Sequence, residues 1–436
     1  MLGSRFLQEE LLAKKSDHSY WALLRDHSQY RRLYIARTVS LLGDWFNLLA
    51  LLTLLRLTTD NTGSVVGGLF IMKLLPTFLL GPIAGVVADR YSRVKVMMWS
   101  DLARFFLTAL YFTVPLLSGG HLIAIYLLTG LHAGASAFFE PARTATLPNL
   151  LPTHMIVRAN ALGAMTWSGI YALGAAIGGV VNEFAGWQMT LMIDASSFLF
   201  SAYMVGRIVV SQRKPQPDTE STGKMAEAIE YMRREPKVLF TVLLKSGWCI
   251  AGAIQLVLTL YGTHVFNYGG KPDFGVAMLF VCRALGTAIG PIIGRRLTRE
   301  EPRSMLRLVI LSFFVSAGFY GLFGLAQTVW QAYACVFIAH MGGSIIWVFS
   351  TVLLQWRVED RYRGRVFATE LGLATLLISI STWTVGAIND SGFPLQRLPG
   401  MLGWLLLLSG VTFTLWHLIG ARQGRFGHGD GTPGGR

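Results

Sequence analysis

Long apolar runs recur along the whole chain and alternate with short polar stretches. A helix needs about 20 predominantly apolar residues to cross roughly 30 Å of hydrocarbon. The pattern predicts twelve such helices, and therefore an all-α polytopic membrane protein. The predicted spans are residues 32–57, 64–87, 94–117, 121–145, 157–182, 187–210, 238–263, 273–296, 304–326, 330–356, 364–389 and 397–420.

A longer polar stretch separates the first six spans from the last six. It contains two prolines and then Met225, Ile229 and Met232, whose spacing predicts a short amphipathic helix on the membrane surface. The predicted organisation is a cytoplasmic N-terminal segment 1–31, a six-helix bundle 32–210, a cytoplasmic linker 211–237, a second six-helix bundle 238–420 and a disordered cytoplasmic tail 421–436.

Composition and charge fit a membrane protein better than a nucleic-acid-binding protein. Mean hydropathy is +0.48 and only 14% of residues are charged, although the formal net charge is +14. Most Lys and Arg residues fall in the N-terminal segment, the linker and the loops on the same side, as the positive-inside rule requires. Both termini are therefore predicted to be cytoplasmic, and no nucleic-acid partner is expected. The cysteines lie inside spans without metal-ligand or disulfide spacing, so neither a metal site nor a cofactor is expected.

Two segments of the first half recur in the second half. "LGPIAGVVADR" at 80–90 is echoed by "IGPIIGRRLTR" at 289–299, and "PTHMIVRANAL" at 152–162 aligns with "EDRYRGRVFAT" at 359–369. Each pair occupies an equivalent place relative to its spans. The repeat predicts two pseudo-symmetric six-helix bundles, an arrangement typical of secondary transporters.

The loop after the second span reads "GVVADRYSRVK". It resembles the G-x-x-x-D-R-x-G-R-R/K motif of the major facilitator superfamily, matched by Gly85, Asp89, Arg90 and Arg93. A glycine permits close helix packing, and an aspartate at a helix C-terminus is unfavourable unless it is paired. The resemblance implies a cytoplasmic gate between the halves. The positive-inside rule alone would explain the two arginines, but not Asp89 or the glycine.

Other segments resemble one branch of this superfamily, which contains the enterobactin exporter and macrolide-efflux proteins. These segments are "FFEPARTATLPNLLPTHMIVRANAL" at 138–162, "LLQWRVEDRYRGRVFA" at 353–368, "SLLGDWFNLLAL" in the first span and "DASSF" at 194–198. The resemblance implies the major facilitator fold, with substrate held between the two halves. It also implies export of siderophore-like or macrolide-like molecules.

Two charged pairs lie near the expected gate. Asp101 and Arg104 are spaced by three residues on the third span, where a local brace for the gate is expected. Glu140 and Arg143 flank a proline at the cytoplasmic end of the fourth span, from which they can pair with the loop at 89–93.

Asp44 is the best-placed ionisable residue within a span. It lies about 18 Å along the first span, near mid-membrane, where a charge is costly unless it has a partner, water or a function. Arg37, Ser40, Asp44 and Asn47 form a polar stripe that we expect to face the cavity. Two interpretations remain open: a structural ion pair with Lys73, or a proton carrier that exchanges partners during transport.

In the second half, polar and aromatic residues share one face of the seventh and tenth spans. Such lining suits a large, partly apolar ligand better than a sugar or an ion. His340 is interpreted either as a packed core residue or as a ligand contact. Arg283 requires an anionic substrate or a carboxylate such as Glu370. The predicted cavity residues of this half are Lys245, Trp248, Gln255, Arg283, Tyr333, Phe337, His340 and Trp347.

These observations predict a transporter and not an enzyme. The leading hypothesis is a monomeric exporter of an amphipathic drug-, macrolide- or siderophore-like compound in the cytoplasmic (inner) membrane. It would work by alternating access with proton antiport, so its partners are a small organic substrate, protons and membrane lipids. One alternative is a lipid or lysolipid flippase or importer. An alternative from another class is a membrane sensor or enzyme, although no H-E-x-x-H, G-x-S-x-G or P-loop motif is present.

Overall fold

The computed structural model describes residues 20–60, 62–210, 225–267, 270–298 and 301–422. Within these ranges the chain is helical apart from short turns. Short 3₁₀ turns, Tyr111–Leu116 and Leu395–Arg397, extend α4 and precede α14. The helices are α1 (Tyr20–Asp26), α2 (Ser28–Thr58), α3 (Gly63–Arg90), α4 (Arg93–Leu110), α5 (His121–Leu150), α6 (Thr153–Gly206), α7 (Met225–Arg234), α8 (Pro236–Cys249), α9 (Ile254–His264), α10 (Pro272–Thr298), α11 (Pro302–Gly324), α12 (Val329–Arg357), α13 (Asp360–Asp390) and α14 (Leu398–Arg422).

Ten stretches of the described chain are long and apolar enough to cross a membrane. The third predicted span, α4, falls below this threshold because its 18 residues include the charged side chains of Arg93, Lys95, Asp101 and Arg104. The fifth and sixth predicted spans are two helical arms that meet at Gly186 without an intervening loop, and we label them together as α6. With α4 and the two arms of α6, the described residues form two six-helix halves, and the predicted fold class is confirmed. We call residues 28–206 the N-half and residues 236–422 the C-half.

The kink in α6 depends on a glycine. Gly186 has φ 81° and ψ 166°, a backbone conformation that side chains with a Cβ rarely adopt. The chain therefore reverses at this point and returns as the sixth span without a loop. The sequence indicates a break near this position, but only the backbone conformation identifies the residue responsible.

The seventh predicted span, 238–263, lies within one stretch apolar enough to cross a membrane, Pro236–His264. This stretch is interrupted between α8 and α9 by residues 250–253, where the N–H groups of Ala251 and Gly252 bond to the carbonyls of Trp248 and Cys249, three residues earlier. Tight 3₁₀ turns of this kind interrupt the α-helical hydrogen-bond ladder. The neighbouring helix α13 approaches closely here, since a Cβ on Gly252 would lie 2.7 Å from Ile378 Cγ1.

The amphipathic helix α7 packs against the C-half. The ring of Tyr231 stacks on that of Tyr362 with centroids 4.3 Å apart, and Glu227 pairs with Arg365 at 2.9 Å. Met232 is buried in a small apolar cluster with residues of α8, α12 and α13. The helix therefore belongs physically to the C-half, and we call the end of the molecule where it lies the linker end. The opposite end is the far end.

Electrostatic contacts between described residues join the halves at the far end. Arg56 near the end of α2 pairs with Asp273 at the start of α10, with 2.9 Å between Nη1 and Oδ1. Asp390, the last residue of α13, accepts hydrogen bonds from the backbone N–H groups of Gly63 and Ser64, at 2.6 and 2.8 Å. A carboxylate is favourable there because helix α3 begins at these N–H groups.

Apolar packing between the halves continues inward from the far end. Gly179 on α6 lies so close to Ala277 on α10 that a larger residue would collide with it. The rings of Trp45 and Phe280 meet edge to face with centroids 6.0 Å apart. One apolar core therefore includes residues of both halves.

Toward the linker end the halves separate. Gly372 on α13 still lies close to α3, since a Cβ at this position would lie 2.7 Å from the Phe78 ring. Nearer the linker end, a Cβ on Gly81, Gly85 or Gly364 would meet no atom within 4 Å. In the described part of the chain, the halves are thus joined at the far end and parted at the linker end.

Candidate functional site

A buried arginine holds together two aspartates of the N-half. Arg104 on α4 pairs with Asp101 one turn earlier, and its Nη1 lies 3.7 Å from Oδ1 of Asp44 on α2. The hydroxyl of Ser201 donates to Asp101 at 2.5 Å, and the guanidinium lies 4.2 Å from the Phe198 ring centroid. Only 2% of the Arg104 side chain is exposed, whereas 32% of the Asp44 side chain is exposed. Asp44 is therefore the accessible member of this group.

A second polar chain runs beside the first. The Lys73 ammonium donates to Asn47 Oδ1 at 2.8 Å, and Asn47 Nδ2 donates to Asp194 Oδ2 at 2.9 Å. Thr108 also donates to Asp194, at 3.2 Å. Lys73 is therefore hydrogen-bonded to Asn47, and Arg104 forms the ion pair with Asp44. The partner of Asp44 was estimated from helix rise alone, which does not fix the rotation of a helix about its axis.

Close packing of α2 on α6 brings these groups together. A Cβ on Gly43 would lie 2.8 Å from Asp194 Oδ1 and would also collide with the Ser197 hydroxyl. The polar stripe expected on α2 is therefore divided. Asn47 and Ser40 are buried within the N-half, and only part of the stripe borders the space between the halves.

Nearer the linker end, three charged residues of the N-half form a cluster. Glu140 on α5 pairs with Arg37 on α2 at 3.2 Å and with Arg143 at 2.5 Å. Glu140 thus links α2 to α5. The expected pairing of Glu140 and Arg143 with the loop at 89–93 stays a prediction, because the Asp89 side chain lies outside the described part of the structure. The cluster borders a cavity of about 240 Å³, also lined by Tyr30, Tyr34, Asn160, Thr166 and Trp167.

The loop motif lies at the linker end, where α3 turns into α4. Arg93 donates to the carbonyl of Ala145 at 2.6 Å, which ties the start of α4 to the end of α5. Arg90 is exposed, and Gly85 faces open space. The Asp89 side chain lies outside the described part of the structure. In this conformation the described motif residues contact the N-half.

In the C-half, Arg283 is held by two neutral acceptors. Its Nε donates to His340 Nε2 at 3.0 Å. With the Gln255 amide turned so that its oxygen faces the guanidinium, that oxygen accepts from Nη1 and Nη2 at 2.9 and 3.1 Å. Because His340 Nε2 accepts, Nδ1 carries the proton and bonds to the Val336 carbonyl at 3.1 Å. His340 is buried with Tyr320 beside it, which is the arrangement of a packed core residue.

A second cation of the C-half is paired with a carboxylate. Lys245 Nζ on α8 lies 2.9 Å from Glu370 Oε2 on α13 and donates to Thr351 Oγ1 at 2.9 Å. It also lies 4.6 Å from the centroid of the Trp347 ring. Glu370, expected as a partner of Arg283, is instead the partner of Lys245. The sequence placed all of these residues in spans but could not tell which cation faced the carboxylate.

The remaining predicted cavity residues contribute to packing between helices. The ring of Trp248 covers Gly343, which has no room for a Cβ there. The Phe337 backbone approaches Gly286 of α10 in the same way. Tyr333 is buried near the far end of α12. These positions therefore shape the C-half, with Trp248 extending to the Arg283 and His340 group.

The sequence did not single out the far-end contacts of Asp390, Arg56 and Asp273. Asp390 accepts a hydrogen bond from Gly63 at the N-terminus of α3, 327 residues earlier in the chain. No local sequence pattern predicts such a contact. Among the described residues, no group of three His, Cys, Asp or Glu side chains could hold a metal ion. The candidate site therefore consists of charged groups within the helices of each half: Asp44 with Arg104 in the N-half, and the Lys245 and Arg283 groups in the C-half.

Comparison with known proteins agrees with this architecture. The family model described as Major Facilitator Superfamily matches residues 33–382. The putative bacilysin exporter BacE of Bacillus subtilis (strain 168) is 25% identical over 84% of this chain and 89% of its own. The enterobactin exporter EntS of Citrobacter koseri is 24% identical over 79% of this chain and 81% of its own. Macrolide efflux protein A of Streptococcus pyogenes is 23% identical over 74% of this chain and 80% of its own.

A solved structure shares the fold. The crystal structure of a bacterial homologue of the iron transporter ferroportin, in an inward-facing state, matches with a TM-score of 0.65 at 15% identity. The match covers 89% of this chain and 98% of the other. The similarity in sequence and in fold extends over both halves.

Proposed function

Because the chain belongs to the major facilitator superfamily, we propose that it exports an amphipathic organic compound across the cytoplasmic membrane in exchange for protons. It is a multi-pass membrane transporter, and the predicted resemblance to the branch of enterobactin and macrolide exporters is confirmed. The identity of the substrate class, the direction and the proton coupling are our proposal. Three relatives that carry the name of an exporter or efflux protein support the outward direction.

The observation that carries the proposal is the position of Asp44. Its side chain is 32% exposed, and its carboxylate lies 3.7 Å from the buried guanidinium of Arg104. In the proposed cycle, Asp44 releases a proton in the conformation that is parted at the linker end. Rotation of the halves would expose it to the far end, where it takes up the next proton.

Through Arg104, a change in the charge of Asp44 can alter the packing of the helices. Arg104 is shared between Asp44 and Asp101, so neutralising Asp44 leaves the arginine to Asp101 alone. That change alters the charge at the contact of α2 with α4 and favours a different arrangement of the helices. The motif residues Gly85, Asp89, Arg90 and Arg93 would form the gate that closes the linker end in the other conformation.

A lipid transporter of the same fold would need an apolar lateral gap between the halves. The large apolar groove in the described residues has a volume of about 580 Å³ and is lined by Met98, Leu102, Leu199 and Phe200. It lies between α4 and the second arm of α6, within the N-half. The charged groups within each half instead favour a substrate that enters from the aqueous side.

The experiment begins with cells that lack their main drug exporters. A panel of toxic amphipathic compounds identifies the compound against which the chain protects best. Everted membrane vesicles then report proton movement with a pH-sensitive dye when that compound is added. We expect substrate-dependent proton release with the wild-type protein and with Asp26→Asn, which changes an exposed aspartate outside the spans. We expect none with Asp44→Asn, and unchanged proton movement in that variant would refute the proposal.

A further inference from the structure

The Lys245 ammonium occupies a compact site built from three different groups. Glu370 supplies a carboxylate oxygen at 2.9 Å, Thr351 a hydroxyl at 2.9 Å and Trp347 a ring face at 4.6 Å. Only 6% of the Lys245 side chain and 2% of the Glu370 side chain are exposed. An anion beside an aromatic face is the combination that recognises organic ammonium groups. The site is therefore chemically a cation site, and it is occupied by a residue of the same chain.

The site lies at the same level of α13 as a contact between the halves. Glu370 is two residues before Gly372, where a Cβ would lie 2.7 Å from the Phe78 ring of the N-half, so the two positions are about 3 Å apart along the helix axis. The Trp347 side chain is 36% exposed, so part of its ring remains open while the ammonium covers another part.

Two features allow the occupant to be exchanged. The second carboxylate oxygen of Glu370, Oε1, is buried and has no hydrogen-bond partner among the described residues. Lys245 lies five residues before the break between α8 and α9, which begins at residue 250. The helix can bend there because its hydrogen-bond ladder is already interrupted. An incoming ammonium therefore finds an open acceptor, and Lys245 is on a segment that can move away.

We propose that this group is the binding site for a cationic amine on the substrate, and that Lys245 is an internal occupant which the substrate displaces. The inference rests on the proposed export function and names the chemical class of its substrate. Exchange of one ammonium for another keeps Glu370 paired throughout. Removal of Lys245 without replacement would leave a buried carboxylate uncompensated, which is strongly unfavourable.

The test uses two fluorescent probes that differ in charge. Dansylcadaverine carries a primary ammonium, and its N-acetyl derivative carries a neutral amide on the same dansyl reporter. Binding of each probe to the purified, detergent-solubilised full chain is followed by dansyl emission. We expect the amine to bind on the order of tenfold more tightly than the amide, as desolvated cation–π and ion-pair contacts allow.

Four variants separate the proposed site from general hydrophobic binding. Glu370→Gln and Trp347→Leu should abolish the preference for the amine, whereas Trp347→Phe should retain most of it. Lys245→Met removes the internal occupant and should increase amine affinity without changing amide affinity. It should also show a larger rise in melting temperature with the amine than the wild type shows, so that a destabilised variant remains informative. Glu230→Gln, an exposed glutamate on α7, is the matched control.

The proposal is overturned if Glu370→Gln keeps the amine preference, or if Lys245→Met binds the amine no better than the wild type. Failure of the export proposal gives a different result, because probe binding in detergent needs no proton gradient. Asp44→Asn should keep the amine preference while it loses proton-coupled transport. Coupling that survives in Asp44→Asn would refute the proton role and leave the amine site in place.

Discussion

Arg104 is the residue on which the charge balance of the N-half depends. It is buried to 98%, lies against an aromatic ring and has one aspartate on either side. Burying two charges contributes little net stability compared with apolar packing, but removing one partner leaves the other uncompensated. The group is therefore better suited to selecting a conformation than to stabilising the fold.

A substitution of Asp101 tests this charge balance. We expect Asp101→Asn to lower the free energy of unfolding by about 3–5 kcal/mol, because Arg104 loses its close partner in a buried site. The measurement is thermal unfolding of the purified protein in detergent. Glu230→Gln removes an exposed ion pair with Arg234 and should change stability by less than about 0.5 kcal/mol. Equal effects of the two substitutions would contradict the assignment.

At this scale the sequence predicted positions well and partners poorly. Asp44 was correctly placed within a span from residue counting, and the cost of a buried charge correctly indicated that it needs a partner. Asp44 forms its ion pair with Arg104, Lys73 donates to Asn47, and Glu370 pairs with Lys245. Partner choice depends on the rotation of each helix and on which helices adjoin, and neither quantity is encoded in a local pattern.

Small residues determine how closely the helices approach one another. Gly43 brings α2 onto the second arm of α6 and places Asp194 within reach of Asn47. Helix association in a bilayer depends on this close packing, because lipid tails provide no hydrophobic driving force between helices. The polar network of the N-half therefore depends on a residue that has no polar side chain.

Substitution at Gly43 should disturb the network without removing any polar group. We expect Gly43→Ala to lower the free energy of unfolding by about 1–3 kcal/mol, the usual cost of overpacking. Gly318→Ala is the matched control, because a Cβ at that helical position meets no atom within 4 Å. Thermal unfolding in the same detergent compares them, and a Gly43→Ala variant as stable as Gly318→Ala would contradict the packing described here.

The linker helix α7 should move together with the C-half. Met232 is 4% exposed and Ile229 is 39% exposed on the same short helix. We expect Met232→Ser to detach α7, seen as faster amide hydrogen exchange over residues 225–234, whereas Ile229→Ser should change exchange much less. Equal exchange in the two variants would show that α7 is held by something other than its buried face.

The number and order of the spans could be predicted from hydropathy, but their interruptions could not. Apolar periodicity continues through residues 250–253, although the helix is broken there. The reason is the approach of α13 to Gly252, a contact between residues more than one hundred positions apart. In α4 the charged residues lower the hydropathy of a helix that still belongs to the bundle, because Asp101 and Arg104 are part of its buried polar network.

For the whole molecule, the contacts at the far end should favour the conformation in which that end is closed. Asp390 accepts two hydrogen bonds from the start of α3, and Arg56 pairs with Asp273. Hydrogen bonds to a charged group contribute about 1.5–3 kcal/mol each. Losing them should therefore shift the equilibrium between the two conformations substantially.

The combined variant Asp390→Ala with Arg56→Gln should open the far end. Spin labels at Leu57 and Leu325, both exposed at that end of opposite halves, report the separation by pulsed electron resonance in a background without native cysteines. We expect a longer distance population in the combined variant than in the wild type. Asp60→Ala, an exposed aspartate at the same end, is the control. An unchanged distribution would mean that other contacts close the far end.

The central claim is that protonation of Asp44 is coupled to the movement of the halves, and its most direct test measures that movement as a function of pH. Spin labels at Tyr91 and Leu297, exposed at the linker end of the N-half and the C-half, measure their separation at acidic and at neutral pH in lipid nanodiscs. If Asp44 couples protons to alternating access, the distance distribution shifts with pH in the wild type and no longer shifts in Asp44→Asn. A shift of the same size in Asp44→Asn would contradict the account.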